Sequence, residues 1–112
     1  MMKIFFVILS LFFTVNVYAA SNGTVSGHIK SIQIKQDGYL FIQFDENHAN
    51  PTECEQADFV IIKPESIVFD KIFTLTLAAH ASNKKVTYYT VVPCHQQYNS
   101  SYSSGITGAI LE

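Results

Sequence analysis

The stretch VSGHIKSIQIKQDGYLFIQF, residues 25–44, decides the fold because it holds two apolar alternations joined by an Asp-Gly pair. In the first alternation the apolar residues change from odd to even positions, since Val25 and Ile29 are at odd positions and Ile32 is at an even one. A strand changes faces in this way only through an extra residue. We therefore predict a long first strand over residues 25–35 that bulges or kinks near Lys30 and bends to serve two sheets.

The Asp37-Gly38 pair predicts a hairpin turn, because it lies between two apolar alternations. A second strand is expected over residues 39–44, and a third, buried strand over residues 58–63, with a polar loop between them. In the second strand Leu40, Ile42 and Phe44 share one face, and Tyr39 and Phe41 share the other.

One helix is predicted over residues 66–82, where Val68, Ile72, Leu75 and Ala79 follow three- and four-residue steps. Asn83 occupies the position after the helix, where asparagine readily adopts the left-handed conformation. A fourth strand over residues 85–92, a polar loop over 94–104 and a fifth strand over 105–111 complete the chain.

This order, three strands, a helix and two strands, predicts a mainly β fold: a five-stranded barrel of the oligonucleotide/oligosaccharide-binding (OB) type with one helix. The competing architecture is an open α+β sheet with the helix on one face. In either case residues 20–112 form a single domain.

Residues 1–19 have the layout of a secretory signal peptide, with Lys3 before an apolar core and small residues at its end. Cleavage is expected after Ala19, with Ala20 as the alternative site. The apolar core is shorter than the roughly 20 residues that a membrane-spanning helix needs, which disfavours an uncleaved anchor. The product is therefore expected to be secreted or periplasmic, with no stable membrane insertion after cleavage.

Cys54 and Cys94 are the two cysteines of the chain. In an oxidising compartment they are expected to form one structural disulfide. The alternatives are a catalytic Cys94-His95 pair and a zinc site that adds His48, but bridged sulfurs cannot act as nucleophiles and adjacent Cys and His converge poorly on one metal. We expect no metal and no cofactor.

Charge excludes one common class of ligand. The seven basic residues are all lysines, and the nine acidic residues leave a mature chain that keeps six lysines with a net charge of about −3. Binding of nucleic acid depends on clustered cations, so we expect no nucleic-acid partner. Neutral sugars need only aromatic rings and polar groups, and the loop CHQQYNSSYSS supplies both.

The expected ligand contacts are Tyr98, Asn99, Ser101 and Tyr102. The same segment also reads as a solvated serine-rich connector. No catalytic residue is assigned, because no carboxylate pair, nucleophile elbow or histidine spacing forms a recognised catalytic set. The chain is expected not to be an enzyme.

Several stretches of the mature chain carry a resemblance: residues 27–34, GYLF at 38–41, PTEC at 51–54, LAAHASNKKV at 77–86, Cys94 and residues 106–111. They resemble small bacterial secreted proteins related to the binding (B) subunit of subtilase cytotoxin, an AB5 toxin. The resemblance implies an OB fold, a homopentameric ring and recognition of cell-surface glycans.

The expected function is therefore a secreted, non-enzymatic binding module that recognises a surface glycan or protein, as in a toxin B subunit. The alternative is a periplasmic structural or inhibitory protein that binds another protein.

Overall fold

The computed structural model describes residues 20–45 and 49–111, and this part of the chain is mainly β, with one six-stranded sheet and one helix. The predicted signal peptide, residues 1–19, and His48 lie outside the described residues. The elements are β1 (Gly23–Gly27), β2 (Ile29–Ile34), β3 (Leu40–Phe44), β4 (Gln56–Ile62), α1 (Phe69–Ala81), β5 (Lys85–Gln97) and β6 (Ser100–Leu111).

The strand order in the sheet is β1-β5-β6-β4-β3-β2. β4 and β6 run parallel, and the other neighbouring strands are antiparallel. The expected closed barrel of five strands is wrong, because the sheet is open and has six strands. The cause lies in the first predicted strand, which divides at His28 into β1 and β2. β1 pairs with β5 and β2 pairs with β3, so the two halves form opposite edges.

The bulge predicted near Lys30 is confirmed. Ile29 is opposite Phe44 and Ser31 is opposite Gln43, so Lys30 is the additional residue in β2. It changes the face on which the following side chains lie, which accounts for the phase change in the sequence.

The hairpin predicted at Asp37-Gly38 is also confirmed. The Gly38 N–H donates to the Lys35 carbonyl oxygen at 2.9 Å, and the Lys35 N–H donates to the Tyr39 carbonyl oxygen at 2.9 Å. Gly38 has a φ of 90°, a conformation that L side chains rarely adopt. The turn therefore depends on glycine at this position.

Gly38→Ala is expected to lower the free energy of unfolding by about 1–2 kcal/mol, the cost of left-handed backbone for a residue with a Cβ. That Cβ would also lie 3.2 Å from the Cβ of Pro64. Urea unfolding of the variant measures the change. The matched control is Gln36→Ala in the same turn, and an equal loss in both variants would contradict the conformational explanation.

The helix begins three residues later than the predicted residue 66, because Ser66, Ile67 and Val68 form a preceding turn in which the Phe69 N–H donates to the Ser66 carbonyl oxygen. It ends at Ala81, one residue before the predicted residue 82, and the predicted left-handed residue follows it. Asn83 has a φ of 55°, and the Lys84 N–H donates to the Ala79 carbonyl oxygen at 2.9 Å. This is the closing hydrogen bond of a Schellman motif.

The main core lies between α1 and one face of the sheet. A polar pair crosses it: the Thr76 hydroxyl of α1 and the Tyr88 hydroxyl of β5 lie 2.6 Å apart, and both residues are fully buried. The other buried members are apolar: Val25, Ile29, Leu40, Ile42, Phe44, Val60, Ile62, Ile72, Ala79 and Val86.

The predicted disulfide is confirmed, since Cys54 and Cys94 are bridged with their Cα atoms 5.9 Å apart. A formed disulfide fits an extracellular or periplasmic compartment. Within residues 20–45 and 49–111, no helix has the length and apolarity needed to cross a bilayer.

Candidate ligand-binding surface

Five aromatic side chains form a cluster, here called the aromatic surface, on the sheet face opposite the main core. Phe41 lies at its centre, with its ring centroid 5.0 Å from that of Tyr102 and 6.3 Å from that of Phe59, both edge-on. The other members are Tyr39 and Tyr98. Strand alternation explains the cluster, because Tyr39 and Phe41 face away from Leu40 and Ile42, which fill the main core.

The β5–β6 turn places Tyr98 over this cluster. The predicted polar loop over residues 94–104 is wrong, because β5 continues to Gln97 and β6 begins at Ser100. Only Tyr98 and Asn99 form the turn, and both have positive φ, 52° and 58°, as in a type I′ hairpin. The Tyr98 ring centroid lies 6.1 Å from that of Phe41.

The structure divides the four predicted contact residues into two pairs. Tyr98 and Asn99 are exposed, and the Tyr98 side chain is 59% accessible. Ser101 and Tyr102 are buried, at 5% and 8% accessibility. The Ser101 hydroxyl accepts a hydrogen bond of 2.8 Å from the Glu55 N–H. We therefore expect Ser101 and Tyr102 to support the turn rather than to touch a ligand.

A lysine lies against the two rings nearest the turn. Lys35 Nζ is 5.2 Å from the centroid of Phe41 and 5.6 Å from that of Tyr98, within the range of cation–π attraction. The same ammonium donates to Gln33 Oε1 at 2.7 Å. Lys35 therefore places a positive charge beside the exposed Tyr98 ring.

Polar groups tie the turn to its neighbours. Gln97 Nε2 donates to Asp37 Oδ2 at 2.5 Å, which connects the β5–β6 turn to the β2–β3 turn. Gln97 Oε1 lies 2.8 Å from His95 Nε2. The two turns thus hold each other in place, and amide and carboxylate groups surround the rings.

Tyr39 and His95 form a stacked pair at the same surface, with ring centroids 4.6 Å apart and an interplanar angle of 26°. Desolvation raises the pKa of the Tyr39 phenol above its ordinary value of 10.0, and the negative charges of Glu65 and Asp37 raise it further. The phenol therefore stays protonated at neutral pH and keeps its hydrogen-bond donor.

Beneath the turn, the loop that carries Cys54 fixes the start of β6. The Thr52 and Ser103 hydroxyls lie 2.6 Å apart and are both buried. Gln56 Nε2 donates to Ser100 Oγ at 3.0 Å. With the disulfide to β5, these bonds connect the Cys54 loop to both strands of the β5–β6 hairpin.

The sequence reasoning missed Tyr39, Phe41 and Phe59 as site residues. A signal for them was present, because Tyr39 and Phe41 were correctly placed on the face of their strand opposite Leu40 and Ile42. Nothing in the sequence indicated that the β5–β6 turn would bring Tyr98 against this face, because Tyr98 is far from Phe41 along the chain.

The described residues hold no group of three or more His, Cys, Asp or Glu side chains that could bind a metal ion. Two surface grooves share no residue with the aromatic surface. One, of about 460 Å³, is lined by His28, Asn83, Lys84, Lys85 and Leu111, and the other, of about 260 Å³, lies between α1 and β6.

In comparisons with known proteins, no family model, curated protein or solved structure matches this chain. The resemblance to subtilase cytotoxin B subunits stays a prediction.

Proposed function

We propose that this protein is an exported, non-enzymatic binding module whose aromatic surface binds a glycan on a cell surface. The observation that carries the proposal is the exposed ring of Tyr98, which is held over Phe41 and bordered by Lys35, Asn99 and the Gln97–Asp37 pair. A sugar ring has an apolar face of C–H groups and a polar edge of hydroxyls. Such a ligand would place its apolar face on Tyr98 and its hydroxyls on the amide and carboxylate groups.

The backbone of Tyr98 supports this proposal. A tyrosine in the left-handed region costs about 1–2 kcal/mol relative to extended or helical backbone. Such conformations concentrate at binding sites, where the surrounding structure enforces them. Here the tie between Gln97 and Asp37 holds the turn, so the conformation fixes the direction of the ring before any ligand arrives.

Charge favours a glycan over a nucleic acid. Lys35 is the one lysine in contact with the described aromatic surface, and Asp37 and Glu65 lie close to Tyr39. A strand of nucleic acid needs a continuous cationic groove beside its stacking rings.

The proposal includes an OB-like arrangement of the sheet. β1 and β2 are consecutive in the chain, separated by His28 alone, although they lie at opposite edges of the strand order. Taken as two halves of one bent strand, they reduce the six strands to five, in the chain order three strands, a helix and two strands. The parallel β4–β6 pair and the helix between β4 and β5 are compatible with this topology.

An assembly of identical copies would raise the strength of binding. Several copies bound to one glycan-bearing surface gain affinity through effective concentration. We propose a homo-oligomer, specifically a ring of five subunits. Measurement of the mass of the processed protein in solution tests this proposal. A monomer at micromolar concentration would contradict the ring but not the glycan site.

Tyr98→Asn is expected to weaken glycan binding about tenfold or more, because it removes the exposed ring on which the sugar would stack. Asparagine suits left-handed backbone, so the turn is preserved and the unfolding midpoint should change little. The measurement is a glycan array with the oxidised mature protein, followed by titration of the best glycan against wild type and variant.

The matched control is Tyr89→Thr, which removes a different exposed tyrosine. Tyr89 is in β5 opposite Thr24 and Thr107 and is not part of the aromatic surface. This variant should bind like the wild type. An array without any glycan signal would contradict the proposed function, and equal loss in the two variants would contradict the proposed site.

A further inference from the structure

Four residues beside the exposed ring of Tyr98 form a closed set of contacts, here called the polar network: Asp37, Tyr39, His95 and Gln97. Asp37 Oδ1 accepts a hydrogen bond from the Tyr39 N–H at 3.3 Å, and Asp37 Oδ2 accepts one from Gln97 Nε2. Gln97 Oε1 lies 2.8 Å from His95 Nε2, and the His95 ring stacks on the Tyr39 ring. The network therefore joins the β2–β3 turn to the end of β5 through both a hydrogen bond and a stack.

The carboxylate of Asp37 fixes the direction of the side-chain hydrogen bonds in this network. A carboxylate only accepts, so the Gln97 atom that faces Asp37 is the donor Nε2. The other atom of the carboxamide, Oε1, only accepts, and it faces His95 Nε2. His95 therefore carries a hydrogen on Nε2, and in a neutral imidazole the Nδ1 atom then has none.

Tyr39 holds the imidazole in the orientation that this bond requires. The two ring centroids lie 4.6 Å apart with 26° between the ring planes, and His95 is half-buried opposite Tyr102 of β6. Rotation of the imidazole out of the stack would lose this contact and would move Nε2 away from Gln97. The stack and the hydrogen bond therefore support each other.

Gln97 is the residue through which the network acts on Tyr98. Gln97 and Ser100 are opposite each other at the base of the two-residue turn, and Tyr98 follows Gln97 directly. Tyr98 has a φ of 52°, a conformation that its own side chain disfavours. Because both ends of the Gln97 carboxamide are bonded, the strand end from which the turn starts is held. Loss of either bond is expected to let the Tyr98 ring move relative to Phe41.

We propose that His95 is a positioning residue of the aromatic surface: with its hydrogen on Nε2 it orients the Gln97 carboxamide and thereby holds the Tyr98 ring over Phe41. His95 acts through Gln97 and does not itself contact the ligand. The effect on glycan binding rests on the function proposed above, whereas the hydrogen on His95 and the place of Tyr98 are measured without a ligand.

The first test locates the hydrogen on His95 in the processed, oxidised protein. The imidazole nitrogen chemical shifts are measured at about pH 8.5, where histidine is ordinarily neutral. We expect a hydrogen on Nε2 whose exchange with solvent is slowed. A hydrogen on Nδ1 would overturn the proposal, because Gln97 Oε1 could then receive no hydrogen bond from His95 Nε2.

His95→Phe keeps an aromatic ring against Tyr39 but removes the donor to Gln97. The nuclear Overhauser contacts between the rings of Tyr98 and Phe41 are expected to weaken, and glycan binding is expected to fall about fivefold. Ring contacts equal to those of the wild type would overturn the proposal.

An exchange of the carboxylate and the amide between positions 37 and 97 distinguishes positioning from a general loss of structure. Gln97→Glu places a second carboxylate against Asp37, so the contacts between Tyr98 and Phe41 should be lost and binding should fall about tenfold. Adding Asp37→Asn supplies an amide donor to the new carboxylate, whose other oxygen still accepts from His95 Nε2. The hairpin is kept because Asn-Gly suits the same turn as Asp-Gly. The double variant should regain the ring contacts and most of the affinity.

The matched control is Gln96→Glu, the same change at the neighbouring exposed residue, whose side chain lies on the other face of β5. It should alter neither the ring contacts nor glycan binding. A double variant that recovers no contact between Tyr98 and Phe41 would overturn the proposal. If the ring contacts respond as expected while the wild type binds no glycan, the role of His95 is supported and the proposed function is contradicted.

Discussion

Replacing Cys54 and Cys94 together with alanine is expected to lower the free energy of unfolding by about 4 kcal/mol. The bridge joins residues 40 apart in the sequence. In the chain-entropy model, closing a loop of that length removes about 13 cal/mol/K from the denatured chain, or about 4 kcal/mol at 25 °C. Domains of this size have a total stability of about 5–15 kcal/mol, so the loss is a large share.

Thermal and urea unfolding of the double variant measure this effect. The melting temperature is expected to fall by roughly 15–30 °C, given about 4–8 °C per kcal/mol in a domain of this size. Alanine is the suitable replacement because Cys54 is 4% accessible and a buried serine hydroxyl would add a separate cost. Wild type treated with a reductant serves as the control and should show the same loss. A difference below about 1 kcal/mol would contradict the entropic account.

Alkaline pH is expected to destabilise the fold through Tyr88. Burial raises the pKa of Tyr88 from 10.0 to about 12, and its hydrogen bond with Thr76 lowers it only in part. A tyrosine is neutral when protonated, so the folded state holds this proton more tightly than the unfolded state. The contribution to stability is complete below about pH 10 and is lost as the pH rises from about 10 to about 12.

The expected loss is about 3 kcal/mol over these two pH units, because one pKa unit corresponds to about 1.4 kcal/mol. Urea midpoints measured from about pH 8 to about pH 11.5 should therefore decline steeply above about pH 10. Other tyrosines and the lysines titrate in the same range, so the comparison with Tyr88→Phe isolates the effect. That variant should show a shallower decline, and parallel curves would exclude Tyr88 as the cause.

At neutral pH the Tyr88→Phe variant should itself be less stable by about 1–3 kcal/mol, because the buried Thr76 hydroxyl loses its partner. Adding Thr76→Val removes that unsatisfied group. The double variant is therefore expected to regain most of the loss, which distinguishes a lost hydrogen bond from disturbed packing of the ring.

Local sequence signals were sufficient where structure depends on neighbours in the chain. The phase slip around Lys30, the Asp37-Gly38 turn and the left-handed Asn83 were each predicted within a few residues. These features follow from strand parity and from the backbone preferences of glycine and asparagine. Such preferences act whatever the rest of the fold does.

The β5–β6 hairpin was missed for a different reason. Serines at 100–104 are typical of an exposed loop, yet here they are buried in β6. Three of these serines, Ser100, Ser101 and Ser103, have hydroxyl groups satisfied by partners about 45 to 50 residues away, which are Gln56, Glu55 and Thr52 respectively. Burial of a polar side chain costs little when such a partner is present, but the partner cannot be read from the local pattern.

The sequence by itself determined the β-rich content, the helix before β5 with its left-handed Asn83 end, the two faces of the second predicted strand and the pairing of the two cysteines. Only the tertiary structure decided that the first predicted strand splits at His28 between opposite sheet edges, and that Tyr98 comes to lie over Phe41. The reason is that each residue's conformational preference acts within a few positions of the chain. The partners of a strand are instead chosen by contacts between segments tens of residues apart.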